Sequence, residues 1–171
     1  MADNELPVSL AEAQAFARVE TGEEEALLAG LIRSASGLCE AFTGQVLMAR
    51  RFEEVLPAGG AWQRLGATPV RTIETVERLA ADGTAAALLP GEYEVDIDSR
   101  GDGWVKVSGD GRVRVSGQAG LAGDANGVPE PLRQGIVRLT AHLYANRDGE
   151  GGEPPAAVTA LWRPYRRMRL A

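Results

Sequence analysis

Residues 22–43 read GEEEALLAGLIRSASGLCEAFT, and this stretch decides the fold class. Its apolar side chains recur at the i, i+3, i+4, i+7 spacing of an amphipathic helix: Leu27, Leu28, Leu31, Ile32, Ala35, Leu38, Cys39 and Phe42. The glutamates at the start suit the positive end of a helix dipole. Gly44 suits the left-handed residue that ends a helix. The pattern therefore predicts a long amphipathic helix over 22–43.

Two further helices flank this one in the sequence. Ser9 and Glu12 have the spacing of a capping box, which predicts a short helix over 9–19, and Thr21 with Glu24 repeats the signal before the long helix. Pro129 stands where proline is tolerated, at the start of a helix. A stripe of Leu132, Ile136, Leu139 and Leu143 then predicts a helix over 129–146.

The chain between these helices has the period of β-strands. Short apolar or alternating segments are separated by glycine-rich turns, Asp82-Gly83 among them: Val46–Leu56, Trp62–Leu65, Val70–Leu79, Ala85–Leu89, Tyr93–Ile97, Gly103–Val107 and Arg112–Val115. We expect an α+β protein. Two N-terminal helices and one C-terminal helix form a helical core, with a small antiparallel β meander inserted over 46–116.

The remaining segments divide the chain further. Gly117–Gly127 holds four glycines in eleven residues and is interpreted as a flexible loop. We expect one domain over 1–147, a soft linker over 148–155, and an extended or partly helical tail over 156–171. The tail is expected to lie outside the core and not to be needed for folding.

Charge and composition exclude several classes of protein. The formal net charge is −6, yet the chain from Ala156 to its end has four arginines and no acid, so the body is acidic. An acidic body does not suit wrapping around nucleic acid, which rests on cationic contacts to phosphates. No apolar run approaches the length of a membrane span, and Met1–Glu5 lacks the features of a signal peptide. We therefore expect synthesis and folding in the cytoplasm.

No set of residues predicts catalysis, a metal or a cofactor. Cys39 and His142 are each the sole residue of their type, which leaves little for a disulfide, a metal site or a triad. Asp96 and Asp98 begin like a calcium loop, but Arg100 and Val107 occupy positions that need oxygen ligands. A charged β-turn is the better interpretation. Cys39 lies on the apolar stripe and is interpreted as a small buried side chain.

The tail has the composition of an interaction segment, because tryptophan, tyrosine, arginine and methionine are enriched at protein interfaces. The candidate binding residues are Leu161, Trp162, Arg163, Tyr165, Arg166, Arg167, Met168, Arg169 and Leu170.

A series of short motifs, in order, resembles the head–tail connector (adaptor) proteins of long-tailed phages and bacterial gene transfer agents. The motifs are Val8–Ala13, the acidic stretch Glu20–Glu25, Glu40–Gly44, Pro69–Val76, Tyr93–Asp96, Val128–Leu132 and Leu143–Arg147. The ending Leu161–Leu170 looks most like the gene transfer agent branch. One departure is Val113–Gly120, which lacks the aromatic strand and turn of many members.

The resemblance implies a structural, non-enzymatic subunit of a ring, usually a dodecamer, at the head–tail junction of a phage-like particle assembled in the bacterial cytoplasm. The long helices would line or brace the channel, and DNA would pass without sequence-specific binding. The C-terminal tail would dock on the portal protein. The opposite face would meet the next connector, a stopper or a tail protein, with no membrane involved.

Two alternatives remain open at this point. One is a small ligand-binding module or enzyme that uses the Gly117–Gly127 loop. The other is a nucleic-acid-binding protein that uses the arginines of the tail, whose affinity for DNA would depend steeply on salt.

Overall fold

The structure is a computed structural model that describes residues 6–19, 22, 24–146 and 154–167. The chain divides into two units. The helical unit is formed by Met1–Met48 and Ala122–Ala171, and the β unit by Ala49–Leu121. The β unit is thus an insertion into the helical unit, and the mixed composition confirms the predicted α+β class.

The helical unit contains four α-helices among its described residues. They are α1 (Leu10–Ala17), α2 (Glu25–Thr43), α3 (Glu130–Ala145) and α4 (Ala156–Trp162), with 3-10 turns at Ala125–Gly127 and Arg163–Tyr165. Helices α1 to α3 lie inside the ranges 9–19, 22–43 and 129–146 that the sequence predicts. Helix α4 lies in the predicted tail.

The capping box predicted at Ser9 and Glu12 is confirmed. The Ser9 hydroxyl accepts a hydrogen bond from the Glu12 amide at 3.2 Å, and the Glu12 carboxylate accepts one from the Ser9 amide at 3.0 Å. The second predicted box pairs Glu24 with Thr21, which lies outside the described residues. The structure places Glu24 at the N-cap position of α2. The Glu24 carboxylate accepts a hydrogen bond from the Tyr144 hydroxyl.

The apolar stripe of α2 is wider than the face it buries. The side chains of Leu28, Ile32, Ala35 and Cys39 are buried in the helical core. Leu27 and Leu38 belong to the predicted stripe but are exposed. Other buried apolar members of this core are Val8, Ala13, Leu47, Leu132, Ile136, Leu139, Val158 and Trp162.

The β unit contains seven strands: β1 (Arg50–Pro57), β2 (Gln63–Arg64), β3 (Val70–Leu79), β4 (Ala85–Ala87), β5 (Tyr93–Ile97), β6 (Gly103–Val107) and β7 (Arg112–Ala119). They form an antiparallel four-stranded sheet in the order β1-β7-β3-β4 and an antiparallel three-stranded sheet in the order β2-β6-β5. The predicted strands exist, but a meander is wrong as their topology, because β7 lies between β1 and β3. The core includes Leu65, Val70, Val76, Val105, Val107, Val113 and Val115.

The glycine-rich stretch Gly117–Gly127 is more ordered than predicted. Gly117 lies in β7, where a Cβ would be 2.1 Å from the carbonyl oxygen of Thr72, so the close pairing of β7 with β3 requires glycine. Ala122 forms an isolated bridge with Met48, and Ala125–Gly127 is a 3-10 turn. The prediction of a flexible loop is therefore wrong for both ends of this stretch.

Candidate interaction site at the C-terminus

The C-terminal segment packs as part of the helical unit. Pro154 and Pro155 precede α4, and the amides of Val158 and Thr159 donate to the Pro155 carbonyl to start the helix. Val158 and Trp162, one helical turn apart, form its buried face. Helix α4 contacts α3 and α2 through this face.

Trp162 anchors the segment. Its side chain is fully buried, and its indole Nε1 donates a hydrogen bond to the backbone oxygen of Leu132 at 3.3 Å. The ring lies 5.9 Å from that of Phe42 in a tilted arrangement, a favourable aromatic geometry. The expectation that the tail lies outside the core is corrected here, since Trp162 belongs to the core of its own chain.

The turn after Trp162 is fastened to the C-terminal end of α2. Gln45 donates through Nε2 to the carbonyl oxygen of Tyr165 at 2.6 Å, and the amide of Arg167 donates to the carbonyl oxygen of Thr43 at 2.8 Å. Gly44, with φ of 69°, ends α2 in the left-handed conformation, as predicted. The Arg166 guanidinium lies over the Phe42 ring, 5.6 Å from its centroid.

The predicted binding residues therefore divide into three groups. Trp162 is buried, while Leu161, Tyr165 and Arg167 are half-buried. Arg163 and Arg166 are exposed and present their charge to solvent. Met168, Arg169 and Leu170 lie outside the described residues. What remains available on the described segment is a cationic surface around Arg163 and Arg166, since residues 154–167 contain no acid.

The helical unit also exposes three large apolar side chains, two of which belong to the predicted stripe of α2. Phe16 on α1 and Leu27 and Leu38 on α2 are each more than a third exposed. The signal in the sequence was the width of the α2 stripe, whose eight members are too many for the buried face of one helix.

The sole cysteine and the acidic side chains show no sign of a thiol or metal site in the described part of the chain. Burial raises the pKa of the Cys39 thiol to about 12, which keeps it protonated and inert as a nucleophile. Among the described residues no three or more His, Cys, Asp or Glu side chains are grouped so that they could hold a metal ion. Within the same residues, no helix combines the length and apolar character of a membrane span.

The segment around Asp98, which begins like a calcium loop in the sequence, forms the predicted charged turn. The Asp98 carboxylate accepts hydrogen bonds from the amides of Arg100 and Asp102 at 2.8 and 2.9 Å, closing the β5–β6 hairpin. Asp102 forms an ion pair with Arg64 at 2.7 Å. These carboxylates are engaged in holding the turn.

Comparison with known proteins gives matches among solved structures. No family model matches the chain, and no curated protein sequence matches it. A chain from the neck of an empty gene transfer agent (GTA) particle, computed with C6 symmetry, matches with a TM-score of 0.77 and 26% identity, covering 95% of this chain and 90% of that one.

Two further chains support the same fold. One from the virion of a native GTA particle matches with a TM-score of 0.78 and 24% identity, covering 100% of this chain and 95% of that one. One from the neck of a native GTA particle, computed with C12 symmetry, matches with a TM-score of 0.75 and 24% identity, covering 97% and 91%. Similarity over nearly the whole length confirms the resemblance to head–tail connector-type proteins of gene transfer agents that the sequence motifs indicate.

Proposed function

We propose that the chain is an adaptor subunit of the head–tail connector in a gene transfer agent or phage particle. The observation that carries the proposal is the match, over 95% of the chain, to a protein from the neck of a GTA particle. The role proposed is structural and non-enzymatic, as for the other components of a particle neck. The particle would be assembled in the bacterial cytoplasm.

In this proposal copies of the chain bind one another and form a ring, a dodecamer, beneath the portal. The C6 and C12 symmetries of the matched neck structures support a ring. DNA would pass through the channel without sequence-specific binding, and the face away from the portal would meet the next connector, a stopper or a tail protein. Helix α2 would line or brace the channel.

Portal binding is assigned to the C-terminal segment, through fewer residues than the nine candidates that the sequence analysis names. Trp162 and Val158 are occupied in the core of their own chain. The contacts to the portal are therefore made by Arg163, Arg166 and the residues after Arg167. Arginine guanidinium groups bind carboxylates through paired hydrogen bonds, so the proposed portal surface is acidic.

The test is co-purification with the portal protein, followed by native mass spectrometry of the complex. Deleting Met168–Ala171 and, separately, replacing Arg163 and Arg166 by glutamate should each abolish or strongly weaken binding while the variants stay folded by circular dichroism. Arg138→Glu, which reverses an exposed arginine on α3, is the matched control and should bind like the wild type. Portal binding that is unchanged in both variants would contradict the assignment. A wild-type chain that neither binds portal nor forms a ring would contradict the adaptor proposal itself.

A further inference from the structure

The β unit has two lateral sides at which its sheets end. On one side β1 lies beside the segment after β2, since the Glu54 carboxylate accepts hydrogen bonds from the amides of Gly66 and Ala67 at 2.7 and 2.6 Å. On the other side lie β4 and β5, the last strands of their respective sheets. We call these the β1–β2 side (residues 50–64) and the β4–β5 side (residues 85–97).

The exposed large apolar side chains of the β unit all lie on these two sides, among residues 49–121, every one of which the structure describes. Val55 is 50% exposed and Trp62 44% exposed on the β1–β2 side. Leu89 is 69%, Val95 43% and Ile97 38% exposed on the β4–β5 side. Exposed apolar surface is thus concentrated at the two sheet ends.

On the β4–β5 side the exposed residues continue the core of the unit. Val95 pairs with Val105, which is fully buried, and Ile97 pairs with Gly103 on the same face of the sheet. Directly paired residues of antiparallel strands share a face, so the buried row of β6 extends into an uncovered row on β5. Within residues 49–121, strand β5 forms backbone hydrogen bonds with one strand, β6. Its other edge is therefore open.

The two sides differ in charge. Residues 80–99 contain five acids and no lysine or arginine; the acids are Asp82, Glu92, Glu94, Asp96 and Asp98. Glu94 is paired with Lys106 of β6 at 2.8 Å, and the other acids still make the β4–β5 side acidic. On the β1–β2 side, residues 50–64 contain three arginines and two glutamates: Arg50, Arg51, Arg64, Glu53 and Glu54. Part of this charge is paired within the chain, since Arg51 lies 3.7 Å from Glu53 and Arg64 lies 2.7 Å from Asp102. The β1–β2 side has a small excess of positive charge.

We propose that the β4–β5 side of one copy binds the β1–β2 side of the next copy, strand edge to strand edge, and so forms the subunit contact of the ring. The inference rests on the proposed function, which requires a ring. Two different, complementary surfaces on one chain produce head-to-tail contacts, and head-to-tail contacts close into rings when the rotation between copies permits. Addition of a strand to an open edge supplies backbone hydrogen bonds, and opposite charges favour this orientation over contact between like sides.

The first experiment is covalent trapping of the double variant Val55→Cys/Val95→Cys, co-expressed with the portal protein and treated with a short bis-maleimide. The native Cys39 is fully buried and does not compete for the reagent. We expect a ladder of covalent multimers from the double variant, and from neither single variant, because each contact joins residue 55 of one copy to residue 95 of the next.

The second experiment reverses charge. Asp96→Arg and Arg51→Glu should each weaken self-association by about tenfold or more, since each reduces the difference in charge between the two sides. An equimolar mixture of the two variants should assemble again, because their reversed sides are complementary. Asp110→Arg, which reverses an exposed acid in the turn between β6 and β7, is the control and should assemble like the wild type.

The outcomes separate the two proposals. Ring assembly by mass without a covalent ladder, or with both charge variants unaffected, overturns the edge contact and leaves the adaptor proposal standing. A wild-type chain that stays monomeric with and without portal overturns both. A ladder in the double variant together with rescue in the mixture supports the edge contact.

Discussion

The indole nitrogen of Trp162 occupies the space that a side chain on Gly135 would fill, since a Cβ built on Gly135 would lie 2.0 Å from Trp162 Nε1. Real Cβ atoms do not approach other atoms so closely. The missing side chain in the middle of α3 is therefore the reason that the C-terminal segment can enter the helical core. The stability of the helical unit and the position of the C-terminal segment should depend on this pair.

Gly135→Ala should destabilise the protein by about 1–3 kcal/mol, the usual cost of overpacking a core. The direction is opposite to the ordinary effect in a helix, where alanine is more favourable than glycine by about 1 kcal/mol. Gly37→Ala on α2 is the control, because a Cβ there meets no atom within 4 Å and the change should stabilise the protein. Urea unfolding followed by circular dichroism measures both, and destabilisation of equal size in both variants would contradict the packing argument.

Trp162→Ala should cost about 3–5 kcal/mol in the free energy of unfolding, as expected for truncating a fully buried aromatic side chain. Arg163→Ala, at the adjacent exposed position, should change it by less than about 0.5 kcal/mol. Thermal unfolding of the two variants beside the wild type gives the comparison. If Trp162→Ala were as stable as Arg163→Ala, the segment would be the loose tether that its composition alone suggests.

Alkaline pH should destabilise the protein through Cys39. Burial raises the pKa of this thiol from an ordinary value of 9.0 to about 12 in the folded state. The unfolded chain therefore loses the thiol proton first, so this contribution to stability is complete below pH 9.0 and is lost as the pH rises towards about 12. Cys39→Ala should show a smaller decline in urea midpoint above pH 9.0 than the wild type, and identical declines would show that the thiol does not contribute.

Acid should weaken the N-terminal cap. The hydrogen bond from the Ser9 amide, with a further one from its hydroxyl and the charge of Arg133, holds the pKa of Glu12 below its ordinary value of 4.5. The folded state thus gains stability from the ionised carboxylate at pH values above 4.5, and loses it as the pH falls through the lowered pKa. Glu12→Gln should be less stable than the wild type near neutral pH. The difference between the two proteins should shrink on acidification, and a constant difference would contradict this role.

The sequence predicts local structure well where side-chain periodicity is strong. Strands β3, β5 and β6 have the predicted ends because alternating residues such as Val105 and Val107 must face one core. Strand β7 extends to Ala119, four residues beyond its predicted end at Val115. The end of this strand, Ser116-Gly117-Gln118, has no alternating apolar residues from which a strand could be predicted. Its pairing with β3 depends instead on the close approach of the Thr72 carbonyl oxygen to Gly117.

The periodicity of apolar side chains does not predict which distant elements of the chain are neighbours in the fold. Two-residue alternation gives the face of a strand but not its neighbours, so the position of β7 between β1 and β3 had no local signal. The composition around Trp162 indicates that these side chains pack against protein. It does not indicate whether that protein is a partner or the core of the same chain. The glycine that decides between them, Gly135, lies in a different helix.

The bridge between Met48 and Ala122, with the Ala122 amide donating to the Leu47 carbonyl at 3.0 Å, holds together the two points where the β unit leaves and rejoins the helical unit. Because the two ends of the insertion are adjacent, its length and sequence can change without moving the helices that precede and follow it. Related chains could therefore keep one helical frame and diversify the inserted β-strands, so that the neighbour each recognises would evolve independently of the scaffold that carries it.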